Sequence, residues 1–291
     1  MFDPFISLFE QQPVIYLATL FVFGATVGSF LNVVIYRLPV MMQREWRHDC
    51  LEFLEQPAEA ESDKFNLSTP RSRCGHCGYQ ITVLENIPII SYLVLGGKCS
   101  SCKTRISPQY PLVELFTALI SVVVGLHFGV SLQALAALFL SWCLIAASGI
   151  DIGHKLLPDT ITLPLLWLGI LLSLFNVFVD LESAVLGAMT GYVSLWSVFI
   201  LFKLVTGKEG MGHGDFKLLA LLGAWLGWKP LFVVILTSSL VGAFIGIGMI
   251  LLKLTERGTQ IPFGPYLAAA GWMTLLWGNE LMQFYYSLFG L

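Results

Sequence analysis

Two aspartates and four cysteines have the types and surroundings that suit chemistry. Asp151 ends an apolar run, Ala146-Ala147-Ser148-Gly149-Ile150-Asp151, and Asp215 opens another, in Gly212-His213-Gly214-Asp215. A carboxyl beside a long apolar segment is costly to place and is a functional candidate for that reason. Two carboxyls brought together cannot both ionise cheaply and share a proton. One then takes a proton from water and the other gives one to a scissile carbonyl, which is aspartic-protease chemistry. Gly212 and Gly214 let an extended substrate approach the backbone closely. Simpler roles compete: Asp215 as an N-cap, Asp151 as an interfacial charge paired with Lys155. Asp159, after Pro158 and before a long apolar run, reads as an N-cap first and a site residue second. Glu114 follows Pro111 in what reads as a first helical turn, where the dipole favours an acid. It is expected on the same side as the aspartates, in a supporting role.

The cysteines stand as Cys74-Gly-His-Cys77 and Cys99-Ser-Ser-Cys102, 21 residues apart. Two CxxC knuckles bring four thiolates to tetrahedral positions around one Zn²⁺. Arg71, Arg73, Lys98, Lys103 and Arg105 offset the negative charge of such a centre. A closed four-sulfur shell leaves no place for water, so the expected metal is structural. Two reducible disulfides are the alternative, which a reducing compartment disfavours. Cys50 and Cys143 stand alone, Cys143 as a small packing residue within a span.

These residues must be positioned by a membrane fold. The 291 residues carry 16 basic and 19 acidic side chains, 12% charged, against 56% apolar residues and a mean hydropathy of +0.77. No water-soluble fold of this length hides so much apolar surface. Disordered and collagen-like classes are excluded, and with a pI near 5.9 and no basic tract no nucleic-acid partner is expected. Residues 37–110 hold 17 of the 35 charges. The remainder reads as about eight transmembrane helices, over 14–36, 111–129, 131–150, 160–180, 183–203, 216–228, 230–253 and 264–286, the sixth short for a crossing. The expected class is thus an all-α polytopic membrane protein with a small cytoplasmic zinc-ribbon-like loop. Its parts are 1–36 (first span), 37–110 (metal loop) and 111–291 (membrane catalytic part).

With the loop inside, 15 of 16 Lys and Arg fall on the cytoplasmic side, including Lys155, Lys203, Lys208, Lys217, Lys253 and Arg257; Lys229 is the exception. Both termini then lie outside. Asp3 and Glu10 precede the first span without a basic n-region, so that span reads as an uncleaved anchor. No repeat period stands out. Gly24-x-x-x-Gly28 and Gly242-x-x-x-Gly246 read as helix-packing pairs.

In three stretches the sequence resembles the bacterial type IV prepilin peptidases, or prepilin leader peptidase/N-methyltransferases. These are Gly28-Ser29-Phe30-Leu31-Asn32-Val33-Val34-Ile35-Tyr36-Arg37-Leu38-Pro39, the paired CxxC loop with Pro88 before its second knuckle, and Asp151 to Leu157-Pro158-Asp159 taken with Gly212-His213-Gly214-Asp215. The likeness covers nearly the whole chain. It implies a GxGD aspartic membrane protease of the bacterial inner membrane, with Asp151 and Asp215 as its catalytic pair. It implies prepilin and pseudopilin substrates, cut after a Gly on the cytoplasmic face. It also implies methylation of the new N-terminal residue with S-adenosylmethionine; no Rossmann GxGxxG supports that from the residues themselves.

Other classes fit less of the sequence. A transporter with an acid pair as proton relay prefers mid-span acids and inverted repeats. A membrane scaffold presenting a zinc ribbon explains the cysteines but not the Gly-Asp placement. HExxH and GxSG are absent.

Overall fold

A computed structural model describes residues 3–56, 64–253 and 261–289. Glu256 and Arg257, counted above among the acids and the inward cations, lie outside the described residues. All regular elements among the described residues are helical. Five of the helices are long and apolar enough to cross a bilayer. The chain divides after Trp142 into two compact units.

In the first unit α1 (Asp3–Gln11) leads into α2 (Pro13–Phe53). Pro13 sits at the helix start, where its missing N–H is no loss. The first span was expected to end at residue 36, yet α2 runs for 41 residues with Pro39 inside it. Gln43-Arg44-Glu45-Trp46-Arg47 beyond Pro39 are mostly good helix formers, and they carry the helix past the one hydrogen bond a proline removes. Arg37, Arg44 and Arg47 therefore lie on a helix and not in a loop. After α3 (Ile90–Val94) comes α4 (Gln109–Phe128), which runs antiparallel to α2. The register is read from paired contacts: Tyr16 Oη donates to Gly129 O (2.7 Å), and Asn32 Nδ2 to Tyr110 O (3.0 Å). Between them, a Cβ on Gly24 would lie 2.9 Å from Ala118 Cα, and one on Gly28 2.7 Å from Glu114 Cα. The Gly24/Gly28 pair thus lets two backbones meet, as expected. The first half of α5 (Leu132–His154) joins this unit through Trp142 Nε1, which donates to Ser121 Oγ (3.0 Å).

The second unit holds the end of α5, then α6 (Asp159–Ser173), α7 (Leu181–Thr206), α8 (His213–Leu226), α9 (Leu231–Leu251) and α10 (Gly264–Phe289). Every residue of α8 from Asp215 to Leu226 except Lys217 is buried, and α6, α7, α9 and α10 all pack against it. A helix apolar all round requires such enclosure. Its 14 residues reach only about 21 Å, short of a hydrocarbon core of about 30 Å, in line with the short sixth span. The 15-residue α6 is also short, and α10 breaks at Trp277. Close packing around α8 comes from glycines of α7: a Cβ on Gly187 would strike the Gly223 carbonyl, and one on Gly191 the Leu219 carbonyl. Trp225 Nε1 donates to Leu165 O (2.8 Å), joining α8 to α6. Asp180 caps α7 by accepting from Ser183 N, and Gly207 ends it in the left-handed region.

Candidate functional site

The first candidate is the four-cysteine cluster. The sulfurs of Cys74, Cys77, Cys99 and Cys102 lie within 4.8 Å of one another. Cys74 Sγ and Cys102 Sγ are 3.8 Å apart. Tetrahedral Zn–S bonds of about 2.3 Å place sulfurs about 3.8 Å apart, so the spacing fits a metal of that kind. The backbone that achieves it is a two-copy duplication at an offset of 25 residues, where no repeat was expected. Cys74 N donates to Tyr79 O, Gly78 N to Cys74 O and Ile81 N to Ser72 O; 25 residues on, Cys99 N donates to Thr104 O, Lys103 N to Cys99 O and Ile106 N to Gly97 O. The bridges Arg73 to Gln80 and Lys98 to Arg105 repeat at the same offset. Each knuckle turns through a positive φ, at Gly78 (72°) and Lys103 (59°).

A carboxylate ties the two knuckles. Glu85 Oε2 accepts from Thr82 N (2.9 Å) and Thr82 Oγ1 (2.8 Å), while Glu85 N donates back to Thr82 Oγ1 (3.4 Å). This reciprocal pair closes over the start of a short 3₁₀ turn, Leu84–Asn86, whose N-cap is Val83. The hydroxyl of Ser100, inside the second knuckle, and then Thr82 hold the Glu85 carboxyl below the usual carboxylate range.

The second candidate lies wholly in the second unit. Asp151 sits in the last turn of α5 and Asp215 is the third residue of α8; they are 6% and 7% exposed. Gly264 N, at the start of α10, donates to Asp151 Oδ2 at 3.0 Å. Leu157, in the α5–α6 connection, joins the two sides. A Cβ on Gly264 would lie 3.2 Å from its methyl carbons, and one on Gly214 2.7 Å from its Cβ. One leucine thus touches both the glycine that binds Asp151 and the glycine that precedes Asp215. The two carboxyls interact electrostatically. His213, between the rings of Phe199 (5.2 Å) and Phe216 (5.4 Å), anchors the same end of α8.

Several sequence expectations change here. Gly212, not Asp215, is the N-cap of α8, and Asp215 N donates to Gly212 O (3.2 Å). Asp159 does not cap α6 either. Pro158 occupies the cap, and both Asp159 oxygens accept from Lys217 Nζ at 2.7 Å, joining α6 to α8. The N-cap reading failed because Pro158 starts the helix one residue earlier. Glu114 lies beyond the first turn, because α4 begins at Gln109 and not after Pro111. Its Oε2 accepts from Ile89 N at 2.7 Å, within the first unit. Gly212 has room for a side chain, with Asp215 Oδ2 3.8 Å from the Cβ position, whereas Gly214 does not. Gly264, Leu157 and Lys217 were not picked out as site residues. Pro262-Phe263-Gly264-Pro265 was the available signal, a glycine between prolines at a span start.

Fold and site define a class: a multi-pass helical membrane protein with a four-cysteine loop in its first half and two buried aspartates at helix ends in its second. Residues 22–128 match the Bacterial Peptidase A24 N-terminal domain, and residues 138–247 match the Type IV leader peptidase family. The chain is 56% identical to the Prepilin leader peptidase/N-methyltransferase of Stutzerimonas stutzeri over 280 residues, covering 96% of this chain and 97% of that protein. It is 54% identical to the protein of that name from Pseudomonas aeruginosa over 287 residues, 99% of each chain. Against the Aeromonas hydrophila protein it is 53% identical over 285 residues, 98% of each. The chain belongs to the type IV leader peptidase family. No solved structure matches it significantly.

Proposed function

We propose that this chain is a bifunctional membrane enzyme that cleaves the leader of type IV prepilins and type II secretion pseudopilins, then N-methylates the residue so exposed. The relatives bear both activities in their names. The observation that carries the peptidase half is that Leu157 packs against both Gly264, which holds Asp151, and Gly214, which precedes Asp215.

In this mechanism one aspartate takes a proton from a water, whose oxygen attacks the scissile carbonyl carbon. The other gives its proton to the carbonyl oxygen. The tetrahedral intermediate collapses, the C–N bond breaks, and the nitrogen leaves carrying a proton from the carboxyl pair. The Gly264 N–H holds one oxygen of Asp151 in place. Gly214 keeps the start of α8 against Leu157, Gly212 caps it, and Asp159 steadies it through Lys217. Glu114 supports the first unit.

Cys74, Cys77, Cys99 and Cys102 hold a structural zinc, whose contribution is to fold a loop with little core of its own. S-adenosylmethionine as methyl donor rests on the family resemblance. Among the described residues no strand leads into a glycine-rich turn, and no residue is assigned to it. The charge distribution supports a cytoplasmic loop and catalytic face in the bacterial inner membrane. The division into anchor (1–36), metal loop (37–110) and catalytic part (111–291) follows the chemistry; α2 runs through its first boundary.

Co-expression with a prepilin, with leader removal and N-terminal methylation scored by mass spectrometry, tests the reading. Asp151→Asn and Asp215→Asn each lower cleavage by on the order of 10² to 10⁴ with the protein still inserted. Cleavage persisting in both single variants rejects the pair.

A further inference from the structure

The segment Val83–Leu95 stands out in a loop that the charge distribution assigns to water. Val83, Leu84, Ile90, Leu93 and Val94 are 59–82% exposed, on a stretch whose charge is limited to Glu85. Monomeric proteins seldom leave such a run uncovered in water. The geometry points to a partner: this segment lies in the bilayer, at the boundary between headgroups and acyl chains, as an interfacial re-entrant turn.

Three observations carry this. The first is depth. Ile89 N donates to Glu114 Oε2 at 2.7 Å. Glu114 is five residues, about 7 Å, inside the membrane-crossing helix α4. Across the α2–α4 contact it faces Gly28, nine residues, about 13 Å, before Arg37, the first charge on α2. The loop is therefore held alongside the apolar part of two spans.

The second is backbone satisfaction, which hydrocarbon demands of any chain that enters it. Asn86, Ile87, Ile90, Ser91, Leu93 and Leu95 donate their N–H groups within the segment; Pro88 has none to give. The local turns do not serve Ile89. It has φ 63° and ψ −51°, a conformation strained for a β-branched side chain, with Ile90 N donating back to Pro88 O. Its N–H is met by a carboxylate from the neighbouring span. Glu114, steadied by the Ser29 hydroxyl, thus has work that an acid on an apolar helix otherwise lacks.

The third is charge. Lys98, Lys103 and Arg105 follow the apolar run directly and are exposed, the order in which cations meet anionic headgroups beyond an inserted segment.

The test uses the full chain in nanodiscs of phosphatidylethanolamine and phosphatidylglycerol. A diazirine amino acid is placed singly at Leu93, Val94 and, as a control in the first knuckle, His76. After irradiation, peptide mapping by mass spectrometry shows lipid adducts at 93 and 94 at least tenfold above those at 76. Adducts of water alone at 93 and 94, or crosslinks there to protein, overturn the proposal. Leu93→Met with a ¹³C-methyl label gives a readout without a bulky probe: contacts between that methyl and acyl-chain protons are expected, and contacts only with water count against the bilayer.

Discussion

Gly264 shows how much a single missing side chain matters to Asp151. A Cβ there would lie 2.7 Å from Asp151 Oδ2 and 3.2 Å from the Leu157 methyls. Leu157 has little room to retreat, since it is also wedged against Gly214. Gly264→Ala is expected to lower prepilin cleavage by on the order of 10², the scale of a misplaced reacting group. Gly153→Ala, at a position with open space around it, leaves the rate unchanged; equal rates for both variants would remove Gly264 from the site. At Lys103 the expected sign is opposite. Its φ of 59° repeats the turn that Gly78 makes in the other knuckle, and a left-handed residue with a side chain costs about 1–2 kcal/mol. Lys103→Gly should slow loss of the metal to a chelator, followed by a colorimetric zinc assay. Glu85 gives a pH dependence. Its folded-state carboxyl is held below its ordinary value, so its contribution is present above the ordinary carboxylate range and fades as pH falls through the lower folded value. Proteolysis of the loop should rise over that acid window in the parent chain and show a weaker pH dependence in Glu85→Gln. The two aspartates and four cysteines were legible from residue type and immediate neighbours. Gly264 and Leu157 were not, because a backbone N–H and an apolar side chain carry no chemical signature, and Gly264 lies 113 residues from Asp151.

Helix contacts set where those residues can be. The tightest lies between α7 and α8, where Gly187 and Gly223 face each other through their carbonyls. A methyl on either has backbone in its way, so the helices must separate. Gly187→Ala should cost about 1–3 kcal/mol, the range for overpacking, and should show as a lower melting temperature in detergent together with weaker cleavage. Gly248→Ala on α9, with nothing near its Cβ position, serves as the control; matching melting temperatures would deny the contact its importance. Apolar runs made the helices legible, and the short length of α8 was visible from its sequence. Its central place was not, because a helix apolar on every side reads the same whether lipid or other helices surround it. The end of α2 was misread for a related reason. Charge begins at Arg37, but helix propensity does not stop there.

At the scale of the whole molecule the two chemistries fall into separate compact units. The four sulfurs and Glu85 lie before Trp142, and the end of α5, α8 and the start of α10 lie after it. A metal that only folds its loop should, when stripped, affect the first of these and leave the second standing. The knuckles have little to replace it: their turn hydrogen bonds are internal to each, and what joins them is the sulfur cluster and the Glu85 carboxyl beside Ser100. Chelation of the full chain in nanodiscs is therefore expected to raise hydrogen exchange across 72–106 toward that of an open loop. Exchange in α8 should be unchanged, since its burial comes from α6, α7, α9 and α10. Loss of protection in α8 at the same rate would mean that the metal loop holds the aspartate helices in place. Loss of cleavage with the loop still protected would give the metal a part in the reaction that a closed four-sulfur shell does not allow.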